Sequence, residues 1–201
     1  MFLVENTFLP FLDEFDRISP GRKTILERIS SFVTARNTSK LVFICTHNSR
    51  RSHIAQIWAQ VAASYFDIAN VSTYSGGTEA TAFNPNAVNA LRGLGFEIDK
   101  QTTNENPLYT IRYSDKHPPL MAFSKKYDHP ENPQVDFAAV MTCSHADENC
   151  PVVAGASTRI SLPFDDPKDF DGTALESIKY KERALEIGRE MFYAFSQIRQ
   201  K

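Results

Sequence analysis

The stretch Cys45-Thr46-His47-Asn48-Ser49-Arg50-Arg51-Ser52 puts a thiol, two guanidiniums and three hydroxyls within eight residues. Cys45 is a candidate nucleophile. Arg51, six positions on, is a candidate anion fork, because a planar guanidinium meets two oxygens of a tetrahedral oxyanion at once where Lys offers only a point charge. A loop of this length between a strand and a helix curls so that its N–H groups converge on one anion at the helix N-terminus. Thr46, His47, Asn48, Ser49 and Arg50 are then the oxyanion-binding loop. The helix terminus, Arg51 and the Ser52 hydroxyl favour the Cys45 thiolate over the thiol. A reading without chemistry also exists, in which Cys45 simply ends a core strand, as free Cys is among the most buried residues. Spacing alone does not choose between them.

The elements that must position these residues follow from periodicity. Residues 40–45 read as a short, fully buried strand, and Ile54, Ile57, Trp58, Val61 and Tyr65 recur at helical spacing directly after the loop. Residues 71–75 read as a second strand. Asn84-Pro85 starts a helix whose Val88, Leu91 and Leu94 point inward before Gly95 stops it. Residues 137–142 and 159–162 read as a third and fourth strand, and residues 173–198 as a final amphipathic helix. This alternation predicts an α/β fold, a parallel four-stranded sheet flanked by helices with its ligand at the carboxyl ends of the strands. The first 39 residues are expected to form an N-terminal helical extension, with a helix opening at Ser19-Pro20, and residues 40–201 a catalytic domain. Periodicity fails from about 104 to 134, where five prolines fall, so an irregular insertion is expected there. It is read either as a surface or copy-to-copy contact or as a lid restricting the loop to small oxyanions.

Composition bounds the partners. The chain has 201 residues, 42% hydrophobic and 23% charged, enough to bury a core of its own. Its 22 Lys and Arg against 24 Asp and Glu leave a net charge of −2, which supplies no field for nucleic acid or an anionic membrane surface. No apolar run approaches the roughly 18–20 residues of a membrane span. The apolar start lacks a basic segment and is broken by Glu5, Asp13 and Glu14, so a cytoplasmic location is expected. Three cysteines, an odd number, point to reduced thiols rather than a disulfide framework.

In this context, C-x5-R-S after the first strand resembles the low-molecular-weight protein tyrosine phosphatases and the thioredoxin-coupled arsenate reductases built on the same fold. The resemblance runs from Lys40 through Tyr74-Ser75-Gly76-Gly77-Thr78-Glu79 and Asn84-Pro85-Asn86-Ala87-Val88. It continues into Phe164-Asp165-Asp166-Pro167, similar to the loop that carries the general acid, and implies that role for Asp166 with Asp165 as fallback. Cys143 and Cys150 stand at the kind of position and spacing of the two further redox cysteines of the reductases. The resemblance therefore implies arsenate reduction to arsenite through Cys45, Cys143 and Cys150, with no bound cofactor and thioredoxin as external reductant. The alternative it allows is a phosphatase hydrolysing phosphate monoesters through a cysteinyl-phosphate, with Cys143 and Cys150 as redox protection. A third reading is a non-catalytic oxyanion-binding module.

The chain departs from the family at His47, where Gly is usual, and at Arg50, where a small or apolar residue is common; both are read as solvent-facing. Gln56 replaces a Glu that in such reductases lies near a cation site, so no metal is expected. Cys143-x-His145-x4-Cys150 lacks a fourth ligand, which argues against zinc.

Overall fold

Residues 1–150 and 152–198 are described by the computed structural model. Pro151 and the last three residues of the expected catalytic domain lie outside the described residues. In chain order the elements are α1 (Glu5–Phe8), α2 (Pro20–Thr34), β1 (Ser39–Cys45), α3 (Arg51–Tyr65), β2 (Val71–Gly77), α4 (Pro85–Arg92), β3 (Glu97–Lys100), β4 (Tyr109–Arg112), β5 (Leu120–Ala122), β6 (Phe137–Met141), α5 (Ser144–Asn149), β7 (Ala156–Ser161) and α6 (Glu176–Ser196).

Leu41, Val42, Phe43 and Ile44 are all fully buried, and a run apolar on both faces must be covered on both. β1 accordingly lies inside the sheet. It pairs in parallel with β2 and β6, and β7 adds in parallel to β6, giving the order β2-β1-β6-β7. Successive residues alternate between faces. Leu41 and Phe43 enter a large cluster with Trp58 of α3 and Ile187 and Phe192 of α6, whereas Val42 and Ile44 enter a smaller one with Ala139 and Met141. The parallel four-stranded sheet and flanking helices are those read from the sequence.

The helical extension is part of the same packing. Ser19 caps α2 by accepting from Arg22 N–H, Pro20 takes the first turn, and Leu26, Ile29 and Val33 are buried. α2 lies on α6, with Ser30 Oγ donating to the Ala194 carbonyl at 2.6 Å and Arg22 paired with Glu190 at 2.9 Å. Phe8 stacks on Phe192 and Phe11 meets Trp58 edge-on. A Cβ on Gly188 of α6 would stand 2.7 Å from the Phe11 ring and 2.9 Å from Trp58, so close approach of these rings requires glycine there.

The structure corrects one expectation. The stretch from 104 to 134 holds β4 and β5, which with β3 make a three-stranded antiparallel sheet. These strands are only three or four residues long, and the flanking prolines hide the alternation in which Tyr109 and Ile111 are buried while Arg112 is exposed.

Candidate active site

The loop between β1 and α3 sits at the carboxyl edge of the sheet. Its carbonyls are taken from outside: Cys45 O accepts from Thr78 N, Thr46 O from Glu79 N and Thr78 Oγ1, His47 O from Ser124 Oγ, and Ser49 O from Asn84 N, all at 2.8–3.1 Å. Among the described residues, the N–H groups of Thr46, His47, Asn48, Ser49 and Arg50 have no protein acceptor. Successive backbone N–H groups left unpaired at a helix N-terminus are what a bound oxyanion satisfies. Asn48 closes the curl with φ of +45°, a conformation Asn tolerates better than most side chains.

Cys45 is buried, its Sγ 3.1 Å from Ser52 Oγ. Asn48 Nδ2 donates to that hydroxyl at 2.9 Å, which leaves the hydroxyl proton free to be given to a Cys45 thiolate. Asn48 Oδ1 in turn accepts Lys125 N–H at 2.9 Å, which fixes the amide orientation. Arg51 donates through Nη1 to the Phe164 carbonyl at 2.9 Å and through Nη2 to Asp166 Oδ2 at 2.6 Å. Its Nε is buried without a partner, so donors remain for an anion. Asp166 faces the loop, whereas Asp165 is 93% exposed and paired with Arg183. Of the two acidic candidates, only Asp166 stands against the anion loop.

Cys143 follows β6 and caps α5, its sulfur accepting Ala146 N–H at 3.4 Å and lying 3.5 Å from Thr46 Oγ1. Cys150 closes the same helix. Cys45 and Cys143 lie in the smaller apolar cluster, Cys150 packs against it, and all three thiols are free. His145 Nδ1 is 3.2 Å from Thr46 Oγ1, and no group of three or more metal-ligating side chains occurs among the described residues.

His47 is 46% exposed, with Nε2 3.7 Å from Glu79, in keeping with its solvent-facing reading. Arg50 is not solvent-facing: only 12% of its side chain is exposed, and Nε donates to Tyr180 Oη at 3.0 Å. Its partner comes from a helix 130 positions away, which no local pattern reveals. Sequence reading also missed the brace behind the loop. Ser124 and Lys125 of the insertion hold His47 and Asn48, and Asn106 clasps Ser124 by reciprocal bonds at 2.7 and 3.0 Å. The Gly76-Gly77 pair is the signal for this close packing, since a Cβ at Gly76 would lie 2.5 Å from the Tyr127 backbone of the insertion. A Cβ at Gly77 would lie 2.2 Å from Glu79 O and 2.7 Å from Asn48 N, so the loop packs directly on bare backbone.

Comparison with curated proteins bears on this geometry. An arsenate reductase from Bacillus licheniformis is 33% identical over 152 residues, which are 75% of this chain and 91% of that protein. The chain belongs to the low-molecular-weight protein tyrosine phosphatase and arsenate reductase superfamily. A second superfamily member, an arsenate reductase from Halalkalibacterium halodurans, is 29% identical over 157 residues, 77% of this chain and 94% of that protein. The superfamily fold recurs in a low-molecular-weight phosphotyrosine phosphatase from Vibrio cholerae O395, with a TM-score of 0.50 and 16% identity over 77% of this chain and 93% of that one. It recurs also in an arsenate reductase in its phosphate-binding state, with a TM-score of 0.50 and 17% identity over 81% and 100% of the two chains. No family model matches the chain.

Proposed function

We propose that the chain is an arsenate reductase working through a three-cysteine relay. The observation that carries this reading is the gathering of all three thiols of the chain around one cluster at the anion loop, with Cys143 against Thr46 of that loop. Relatives named arsenate reductase support the same choice. Residues 40–201 are the catalytic unit in this reading, and residues 1–39 a helical extension of it.

Arsenate binds to the loop N–H groups and Arg51. The Cys45 thiolate attacks arsenic, an oxygen leaves as water with a proton from Asp166, and a Cys45 sulfur–arsenic bond results. Cys143 then attacks Cys45 Sγ. The sulfur–arsenic bond breaks with its electron pair going to arsenic, which leaves as arsenite, and a Cys45–Cys143 disulfide remains. Cys150 attacks Cys143 Sγ, Cys45 departs as thiolate, and the disulfide now joins Cys143 and Cys150. An external dithiol of the thioredoxin class reduces it, so no resident cofactor is required. This chemistry needs a reducing compartment, which the cytoplasm supplies.

Cys45, Ser52, Arg51 and Asp166 are also a sufficient set for phosphate monoester hydrolysis, the second reading. Single turnover distinguishes them. The fully reduced chain, mixed with arsenate and no reductant, is expected to yield one equivalent of arsenite and one Cys143–Cys150 disulfide by mass spectrometry. Absence of both, with phosphate ester hydrolysis intact, favours the phosphatase.

A further inference from the structure

We propose that Arg50 is a positioning residue, which together with Tyr180 and Asp171 holds the Asp166 loop over the anion site while Arg51 is engaged by the anion. The proposal rests on the reading of Asp166 as the general acid, and it assigns a task to a side chain at a position where the family resemblance leads one to expect a small or apolar residue.

Three separate elements meet at Arg50. It is the residue before α3, its Nε donates to Tyr180 Oη of α6, and its Nη1 and Nη2 stand 3.8 Å from Asp166 Oδ2 and 3.9 Å from Asp171 Oδ2. Tyr180 is fully buried and its hydroxyl donates to Asp171 Oδ1 at 2.8 Å. The direction of this chain is fixed by chemistry. A guanidinium only donates, so the Tyr180 oxygen accepts from Arg50 and its proton goes to Asp171. Burial, with the bond to Asp171, pushes the phenol up to about 12, so it keeps that proton at any working pH.

Asp166 and Asp171 bracket a single tight helical turn, Pro167–Phe170, whose start Asp166 caps by accepting Lys168 N–H at 3.1 Å. The turn is therefore anchored at both ends. Asp166 is tied to Arg51 and approached by Arg50; Asp171 is tied to Tyr180 and approached by Arg50. When an oxyanion recruits Arg51, the Asp166–Arg51 pair must share its donors with a stronger acceptor. Arg50 stands apart from that competition, its Nε held by Tyr180 and its two terminal nitrogens each within 4 Å of one of the two carboxylates. One guanidinium serves the anion and its neighbour serves the acid.

The test uses Tyr180→Phe, which deletes both hydroxyl bonds without changing shape or charge, and Arg50→Gln, with Asp166→Asn as reference. General-acid assistance matters most for poor leaving groups. Both variants are expected to lose about tenfold or more in kcat/KM on phenyl phosphate, and less than about threefold on dinitrophenyl phosphate, the pattern Asp166→Asn should show more strongly. Equal losses on both esters, or none, would overturn the proposal. Amide exchange at Asp169 and Asp171, which donate to Asp166 O and Lys168 O, supplies a readout independent of turnover. In Arg50→Gln it is expected to rise more with inorganic phosphate bound than without it; an equal rise, or none, would also overturn the proposal. A wild type that hydrolyses neither ester and reduces no arsenate sinks the functional reading instead, while the exchange result still decides what Arg50 holds.

Discussion

Asp147→Ala should loosen α5 without unfolding the protein. Cys143 and Cys150 cap opposite ends of this helix, seven residues apart, and at about 1.5 Å rise per residue their Cα atoms are separated by roughly 10 Å along the axis. A disulfide tolerates about 7 Å at most, so the proposed Cys143–Cys150 bridge requires α5 to unwind. A helix of six residues has little stability of its own and depends on what holds it. Beside the Thr46 contacts of Cys143 and His145, the charged hold on the fold is the Asp147 carboxylate, which accepts Ser161 Oγ at 2.6 Å and pairs with Arg159 at 2.6 Å, both partners on β7. These are charge-assisted contacts less than one-third exposed. Their removal should shift the local opening equilibrium by about 1–2 kcal/mol net, a factor of roughly 5–30. Hydrogen exchange reads it at Asp147 N and Cys150 N, which donate to Cys143 O and Ala146 O. Exchange there should quicken by that factor, with Asp147→Asn in between because it can still accept from Ser161. Exchange within about twofold of wild type would show that the carboxylate does not hold α5 and leave that task to buried Ala146 and the Thr46 contacts of Cys143 and His145.

Three further outcomes are expected. Gly77→Ala should lower stability by at least about 2 kcal/mol in urea unfolding, since the new methyl meets backbone atoms of Glu79 and Asn48 that cannot step aside. Arg51→Lys should lower kcat/KM roughly 100-fold and abolish protection of Cys45 from alkylation by phosphate, because the buried Nε and the fork geometry are both lost. His53 is fully buried against Phe83, and burial, with the nearby Lys125 charge, holds it well below its ordinary 6.5. The unfolded chain then binds a proton that the native state refuses. Stability from this source is complete above about pH 6.5 and falls as pH drops below it, by up to about 1.4 kcal/mol per unit. His53→Gln should remove that component of the acid slope in urea titrations at pH 7 and 5.5.

What could be read from the sequence was whatever periodicity and local motif encode. The buried run before Cys45, the helical spacing after Arg51 and the caps at Ser19 and Asn84 specify their elements with few alternatives, and the structure starts them where the spacing put them, although α4 ends at Arg92 with Gly93 as its cap, short of the Gly95 stop expected. The antiparallel sheet was not legible, because strands of three or four residues among prolines carry too little alternation to register. The site divides in the same way. Cys45, Ser52, Asn48 and Arg51 are neighbours in sequence and in space, whereas Arg50 with Tyr180, and Asn48 with Lys125, are joined only by the fold. Arg50 looked like a surface charge because nothing within reach along the chain could pair with it.

In the proposed relay, one anion loop and three thiols form a single reductive path. Arsenate-dependent NADPH oxidation, coupled through thioredoxin and thioredoxin reductase, tests it most directly when the wild type is compared with Cys143→Ser. Sustained turnover is expected in the wild type and none in the variant, with both proteins still hydrolysing an aryl phosphate at comparable rates. Turnover that survives in Cys143→Ser, or a wild type that hydrolyses the ester yet never reduces arsenate, would contradict the relay.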